Sequence, residues 1–320
     1  LTGVFYDLYI PINATVTNAG EIAVLRNFTL DGTYIHNDKE LIFGGNDSEN
    51  GEIVCASESS LGKVRVDQKT TEKTFSTGFT ARTFSATGSG KIQLGDSEED
   101  TFVLQESGFI FDESLVLAGK FQGQSFESTE TITALTNLTI TAEPGSISLS
   151  KIDAQNKTIV CTAKDTVKFR DSVFVAVLKA TSSDEDVELF ASSSISAASA
   201  EITGQNVSVS GTITTDENLS LKAVELLTVT NELESKTGNI VLEGKECSLE
   251  GKLATKETGS VEVTATNGTL GIAGEIASAG NVNLTSTGKI NLESLVTAKE
   301  KLTATSSNED VLLTNTSSVS

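Results

Sequence analysis

The sequence between residues 217 and 300 repeats with a period of 21 residues, and this repeat restricts the fold more than any other feature. Each of its four segments opens with two apolar residues at positions i and i+2, and a second such pair follows after a short polar gap. The opening pairs are Leu219/Leu221, Ile240/Leu242, Val261/Val263 and Val282/Leu284. Alternation with a period of two is typical of β-strands, and a fixed period near 20 residues is typical of a solenoid. We therefore predict that each segment forms one turn of a parallel β-helix.

The same pattern extends over most of the chain. From Leu138 onwards, opening pairs recur at intervals of 19–22 residues. Earlier and less evenly spaced pairs, which we interpret as the same opening position, begin at Ile22, Leu41, Val64, Phe84 and Phe102. Parallel crossover connections are nearly always right-handed. The predicted fold class is therefore all-β: a single-stranded, right-handed parallel β-helix, or β-solenoid, with about 15 coils of roughly 20–21 residues.

Three stretches of the chain differ in composition. Residues 1–20 contain two of the three tyrosines, and we expect an N-terminal cap or a docking segment for another subunit. Eleven of the 14 phenylalanines lie in the first 126 residues, so we expect 21–137 to form irregular, Phe-rich coils. We expect 138–320 to form regular coils filled by Leu, Ile and Val. We predict that 21–137 and 138–320 form one continuous body whose cross-section changes.

The net charge of −21 argues against two classes of partner. A chain this acidic is not expected to present a basic face to nucleic acid or to an anionic membrane surface. The sequence holds no run of about 18 apolar residues, so we expect no transmembrane helix and no membrane insertion. Dispersed acidic residues would instead keep a long β surface soluble.

The three cysteines occupy predicted inward strand positions in different turns. The register separates Cys161 from Cys247 by four turns, which is on the order of 19 Å at the strand spacing of a sheet. A disulfide needs Cα atoms within about 7 Å of each other. We therefore expect Cys55, Cys161 and Cys247 to be free, buried thiols that act as small hydrophobic residues.

No group of residues in the sequence indicates a reaction, and we predict no catalytic and no cofactor-binding residue. His36 is the only histidine, and its neighbours have neither nucleophile nor zinc-ligand spacing, so we interpret it as exposed at a turn. Parallel β-helices also serve as polysaccharide-degrading enzymes, and glycoside hydrolysis needs two carboxyl groups roughly 5–10 Å apart. The outward positions of the predicted turns bring no such pair together on neighbouring coils.

Four acidic turns raise the question of calcium. They lie at 46–52, 96–100, 183–186 and 308–311, and none has the spacing of a known calcium loop. We interpret them as solvated corner loops, and we predict no cofactor and no metal site. If calcium or another cation binds, the first choice is the turn at 46–52, with Asp47, Glu49 and Glu52 as weak candidate ligands.

Asparagine occurs in two patterns. It precedes the opening pair at Asn137, Asn218, Asn239 and Asn281, where stacked amides can form hydrogen bonds from coil to coil; a simple preference for turns is the alternative. Ten N-x-[ST] sequons predict glycosylation of an exported protein, although a surface rich in Ser and Thr also raises their number. The sequon asparagines are Asn13, Asn27, Asn46, Asn137, Asn156, Asn206, Asn218, Asn267, Asn283 and Asn315.

Three phrases in the regular repeats resemble a known family. GNIVLEGK (238–245), GSVEVTATNGTLGI (259–272) and GNVNLTSTGKINL (280–292) are similar to the repeats of filamentous-haemagglutinin-like adhesins. The resemblance covers about residues 138–320 and rests on the sequence pattern G-x-[IV]-x-L. It implies a secreted, right-handed β-helical protein of a bacterial surface.

The sequence supports three functional hypotheses. The first is a non-enzymatic extracellular structural protein, a rod-like β-solenoid of a cell-surface adhesin or stalk, with a glycan or protein of a host or neighbouring cell as partner. The second is a subunit that self-associates through the solenoid ends and polymerises into an extracellular filament or sheath. Residues 1–20 and the lack of a capping element after the last turn motivate it. The third is a polysaccharide lyase or hydrolase on a β-helix scaffold. The predicted location is extracellular or at the cell surface.

Overall fold

The computed structural model describes residues 1–46, 48–56, 59–67, 71–314 and 318–319. These residues contain no helix, and their short parallel strands stack as a β-solenoid of about 15 turns. Accordingly, the described part of the chain has no helix long and apolar enough to cross a membrane. The all-β class, the parallel stacking and the number of turns are confirmed, whereas the right hand of the helix stays a prediction.

The chain divides into two compact units, Leu1–Ala163 and Lys164–Ser320. The composition changes near residues 20 and 137 both lie inside the first unit, and the domains predicted from them stay predictions. The strands of the first unit are β1 (Gly3–Phe5), β2 (Leu8–Ile10), β3 (Thr15–Thr17), β4 (Ile22–Val24), β5 (Phe28–Leu30), β6 (Thr33–Ile35), β7 (Glu40–Gly44), β8 (Gly51–Cys55), β9 (Lys63–Asp67), β10 (Glu72–Phe75), β11 (Phe79–Ala81), β12 (Thr83–Thr87), β13 (Lys91–Leu94), β14 (Thr101–Leu104), β15 (Phe109–Phe111), β16 (Leu115–Gly123), β17 (Phe126–Ser128), β18 (Ile132–Ala142), β19 (Ile147–Leu149) and β20 (Ile152–Ala163).

The second unit has shorter and more even strands towards its end. They are β21 (Val167–Phe169), β22 (Ser172–Ser182), β23 (Val187–Leu189), β24 (Ser194–Gly204), β25 (Val207–Val209), β26 (Thr212–Thr215), β27 (Leu219–Ala223), β28 (Leu226–Val229), β29 (Leu233–Ser235), β30 (Ile240–Gly244), β31 (Glu246–Leu249), β32 (Leu253–Thr255), β33 (Val261–Ala265), β34 (Leu270–Ile272), β35 (Ile276–Ser278), β36 (Val282–Ser286), β37 (Ile290–Leu292), β38 (Leu295–Ala298), β39 (Leu302–Ser306), β40 (Val311–Leu313) and β41 (Ser318–Val319).

One turn of the second unit contains three short strands. Strands β27, β28 and β29 make up one such turn, and they pair in parallel with β30, β31 and β32 of the next. Leu219, Ile240, Val261 and Val282 lie directly in register, and each is completely buried. The predicted opening column is therefore confirmed. It forms because every second residue of each strand must face the interior, and only apolar side chains gain free energy there.

Phenylalanine rings fill the first unit. Ten rings form a continuous series of contacts, with centroids of touching rings 5.0–6.4 Å apart. Such contacts stabilise a core by about 0.5–1.5 kcal/mol per pair beyond the burial of apolar area. We call this set the phenylalanine series; its members are Phe28, Phe43, Phe75, Phe79, Phe84, Phe102, Phe109, Phe111, Phe121 and Phe126.

The register predicted for the first unit is wrong at one step. We placed Phe84 and Phe102 in one column, but Phe84 pairs with Val64, and Phe102 pairs with Phe79 and Phe121. Phe79 and Phe84 both face inward on the consecutive strands β11 and β12. An alternating apolar pattern does not distinguish which of the two continues a column, because both satisfy it.

Candidate functional site

The three thiols are free and buried, as the register predicts. Cys55, Cys161 and Cys247 are at most 3% exposed. Burial raises the pKa of each thiol to about 12. Because the thiolate is the nucleophile and the metal ligand, these residues act as part of the core near neutral pH.

His36 belongs to a polar cluster that links neighbouring turns. Its Nδ1 atom accepts the backbone N–H of Asp38 at 3.1 Å. Its ring packs so closely on Gly62 that a Cβ atom there would lie 2.5 Å from the ring carbon Cγ. The side chain is therefore only 26% exposed, less than the exposed turn position that we predicted. Arg82 pairs with the carboxylates of both Asp38 and Glu106 and so uses these charges to hold turns together.

The turn at 46–52, our first choice for a cation, directs its carboxylates to different partners. The Glu49 carboxylate accepts the Tyr6 hydroxyl at 2.8 Å, and the Glu52 carboxylate accepts a serine hydroxyl of the next turn. Asp47 lies outside the described residues. Among the described residues, no group of three or more His, Cys, Asp or Glu side chains is placed to hold a metal ion.

Carboxylates in two of the other acidic turns also accept hydrogen bonds. Asp100 Oδ2 accepts the backbone N–H groups of Asp96 and Ser97, both at 2.9 Å. Asp186 Oδ1 accepts the side-chain amide of Asn206 at 2.8 Å. These contacts stabilise the corner conformation, because they satisfy backbone N–H groups at Asp96 and Ser97 and a side-chain amide at Asn206.

A buried lysine occupies the corner where the turn at 46–52 ends. Lys73 lies on β10, on the same inward side as Phe75, and is completely buried. Its ammonium group donates to the backbone carbonyl oxygens of Leu25 and Glu49, both at 2.6 Å, and more weakly to that of Arg26 at 3.5 Å. These oxygens belong to two earlier turns, so one side chain joins three turns. We call this arrangement the Lys73 corner.

Gly51 makes room for the lysine side chain. Gly51 on β8 and Ile92 on β13 are the residues that pair with Lys73 on its two neighbouring strands. A Cβ atom at Gly51 would lie 1.8 Å from the Arg26 carbonyl oxygen. A side chain at that position would therefore displace the backbone that the ammonium group contacts.

Two opposing effects act on the charge of Lys73. Burial lowers the pKa of Lys73 from its ordinary 10.5 to about 8, while the Glu49 carboxylate acts in the opposite direction. On the outer side, Arg26 lies over the Tyr6 ring at 5.3 Å and pairs with Asp7. Burial is the larger of the two effects on Lys73, so its ammonium group is charged only below about pH 8.

Lys73 is absent from the predicted site residues, because a lysine within an alternating strand is normally assigned to the solvent side. Two signals in the sequence identify it. Lys73 is two residues from the inward Phe75, so it shares the inward phase of the strand. Gly51 stands 22 residues earlier, about one turn, and leaves the neighbouring inward position empty.

Corner asparagines link successive turns, as predicted, but through the backbone and not through stacked amides. In each link the Oδ1 atom accepts a backbone N–H one turn further on, at 2.8–3.1 Å. At Asn281 it is the backbone N–H that donates, to the Ser260 hydroxyl at 3.0 Å. The linked pairs, acceptor first, are Asn27 and Glu52, Asn50 and Glu72, Asn137 and Thr158, Asn206 and Leu226, Asn218 and Asn239, and Asn239 and Ser260.

The sequon asparagines lie at the surface. Asn206 is half-buried, Asn315 lies outside the described residues, and the other eight are exposed: Asn13, Asn27, Asn46, Asn137, Asn156, Asn218, Asn267 and Asn283. Four of the ten are corner asparagines with a backbone link: Asn27, Asn137, Asn206 and Asn218. In these four the next residue is buried and the following Ser or Thr is half-buried on the outer face. Glycosylation of the sequons stays a prediction.

Lysine–glutamate ion pairs run along the second unit. Seven of them lie in its described part, with N–O distances of 2.6–4.0 Å. Each joins two neighbouring turns, and each is partly exposed, so each contributes at most about 1 kcal/mol. The pairs are Lys168–Glu188, Lys179–Glu201, Lys222–Glu243, Lys236–Glu257, Lys245–Glu225, Lys252–Glu232 and Lys256–Glu234.

Comparison of the chain with protein-family models, with curated proteins and with solved structures found no match. The geometry itself gives a parallel β-solenoid in which many polar and charged side chains join one turn to the next.

Proposed function

We propose that the chain is a non-enzymatic structural protein, a rod-like β-solenoid of a cell-surface adhesin or stalk of the filamentous-haemagglutinin-like type. The phrases at 238–245, 259–272 and 280–292 support it, because they resemble repeats of that family. The stacked parallel turns support it as well, because they are the architecture that the resemblance implies. The role is mechanical: continuous backbone ladders and a narrow apolar core hold a distal surface away from the cell.

The observation that carries this proposal is the placement of the charged side chains in the second unit. A catalytic or ligand-binding site needs polar groups that converge on one point. The seven lysine–glutamate pairs instead follow the stack, and each one bridges adjacent turns. Such pairs favour one register of the stacked turns over a shifted one, because a shift would separate the paired charges.

Electron microscopy of the purified chain over a concentration series tests the proposal. We expect separate elongated particles whose length is the same at every concentration. Filaments that lengthen with concentration would favour the polymerising subunit instead. A parallel incubation with acidic polysaccharides, followed by assays for reducing ends and for unsaturated sugars, is expected to release nothing. Product in that assay would contradict a non-enzymatic role.

The location and the partner are part of the proposal. We place the chain outside the cell, with a glycan or a protein of a host or neighbouring cell as partner. Protease treatment of intact cells that encode the chain is expected to remove it, while a cytosolic marker stays intact. Full protection of the chain would contradict a surface location. Beads coated with the chain are expected to bind such cells more than beads coated with a heat-unfolded sample.

A further inference from the structure

We propose that backbone carbonyl oxygens in the Lys73 corner form a binding site for a small monovalent cation, which the protein's own lysine ammonium group occupies. The inference concerns a binding site and is independent of the proposed role at the cell surface. It predicts that a free ammonium or potassium ion takes the site when the lysine side chain is removed.

The contact geometry is that of a bound cation. Three carbonyl oxygens, from Leu25, Arg26 and Glu49, converge on one nitrogen, and two of them lie 2.6 Å from it. A distance this short is typical of hydrogen bonds from a charged donor. Rings of backbone carbonyls also replace the hydration shell of potassium in ion-selective sites. The corner therefore offers carbonyl oxygen ligands to its occupant.

One neighbouring charge favours a positive occupant of the corner, and burial opposes it. The Glu49 carboxylate favours the charged form of Lys73. Glu49 also lies near the Arg26 guanidinium, which pairs with Asp7, and its carboxylate accepts the Tyr6 hydroxyl. Burial alone disfavours a charged lysine, because the ammonium group loses its contacts with water. The carbonyl oxygens therefore have to replace those contacts for Lys73 to be charged on the inward face.

The surrounding strands keep the space open. Gly51, in register with Lys73, has no side chain to fill the corner. The next strand places Ile92 in the same column, so the layer beneath is apolar. Truncation of Lys73 to alanine therefore leaves a cavity that is bounded by carbonyl oxygens on one side and by apolar groups on the other.

Chemical rescue of Lys73→Ala in the full chain tests the site. Thermal unfolding is measured in equal concentrations of ammonium, potassium and tetramethylammonium chloride near neutral pH. Ammonium and potassium are expected to raise the melting temperature of the variant above its value in tetramethylammonium, which is too large and has no N–H groups. If the salt concentration is ten times Kd, the folding equilibrium constant rises about elevenfold. The wild type is expected to melt equally in ammonium, potassium and tetramethylammonium.

Two control variants separate this effect from general salt effects. Lys73→Met fills the space without a charge and is expected to show no preference among the three cations. Lys120→Ala removes a lysine that is 50% exposed and is likewise expected to show none. Folding of Lys73→Ala only in ammonium or potassium would support the site. Equal stability in all three salts, or failure to fold in any of them, would overturn it.

Discussion

Lys73 makes the stability of the first unit depend on pH. Its pKa is about 8 in the folded chain, against an ordinary value of 10.5. Between these values the unfolded chain binds more protons than the folded chain, so the free energy of unfolding rises with pH. Below about pH 8 the lysine is charged in both the folded and the unfolded chain, so its ionisation does not change the free energy of unfolding with pH.

The prediction is a growing difference between wild type and Lys73→Met. Urea unfolding at about pH 7, 8, 9 and 10 gives the free energy of unfolding of each. We expect the free energy of unfolding of the wild type to rise relative to that of the variant from about pH 8 upwards. Lys120→Met, at an exposed lysine, is the control and is expected to stay parallel to the wild type. A constant difference between wild type and Lys73→Met would contradict the lowered pKa.

Gly51 is expected to tolerate no side chain. The Cβ atom of Gly51→Ala would lie 1.8 Å from the Arg26 carbonyl oxygen, so the backbone must shift and the Lys73 corner must open. We expect a loss of about 1–3 kcal/mol in the free energy of unfolding, measured with urea. Gly271→Ala is the matched control, because its Cβ would meet its nearest atom at 3.8 Å. Equal effects of both substitutions would show that the corner is not tightly packed.

At the scale of strands, the phenylalanine series determines how the first unit is held together. Phe109 on β15 is completely buried and touches four other rings of the series. We expect Phe109→Ala to lower the free energy of unfolding by about 3–5 kcal/mol, because it leaves a cavity and removes ring contacts. The next residue, Ile110, is 55% exposed. Circular dichroism in urea is expected to show that Ile110→Ala changes stability by about 0.5 kcal/mol or less.

The strands of the second unit follow from the sequence, whereas those of the first follow only in part. In the second unit a constant turn length and strict alternation leave one register, so Leu219 and Ile240 could be paired without coordinates. In the first unit, Phe79 and Phe84 fit the same inward pattern, and only the packing of their rings decides between them. The inward position of Lys73 could be inferred from its phase with Phe75, but the oxygen atoms that its ammonium group contacts could not, because backbone carbonyl groups occur at every residue.

At the scale of the whole molecule, stability is the sum of similar neighbouring contacts. Deletion of residues 238–258 in the second unit removes one complete turn and joins Thr237 to Gly259, which repeats the original junction of Thr237 and Gly238. We expect this variant to fold and to unfold cooperatively in urea, with a smaller dependence on urea because less surface is exposed. Deletion of 238–248 removes about half a turn and places strands of different faces in one column. That variant is expected to lose cooperative unfolding, and equal behaviour of the two deletions would contradict the register.

The backbone links made by corner asparagines have a consequence for how export is inferred from such chains. At such a corner the asparagine amide binds the backbone of the next turn, the following residue enters the core, and a Ser or Thr comes next on the outer face. Stacking alone therefore produces the pattern N-x-[ST]. Glycan acceptor triplets will therefore accumulate in any protein of this architecture, whichever compartment it occupies. Four of the ten triplets in this chain have that origin, so glycans detected on the protein, and not the number of triplets, are the evidence for secretion.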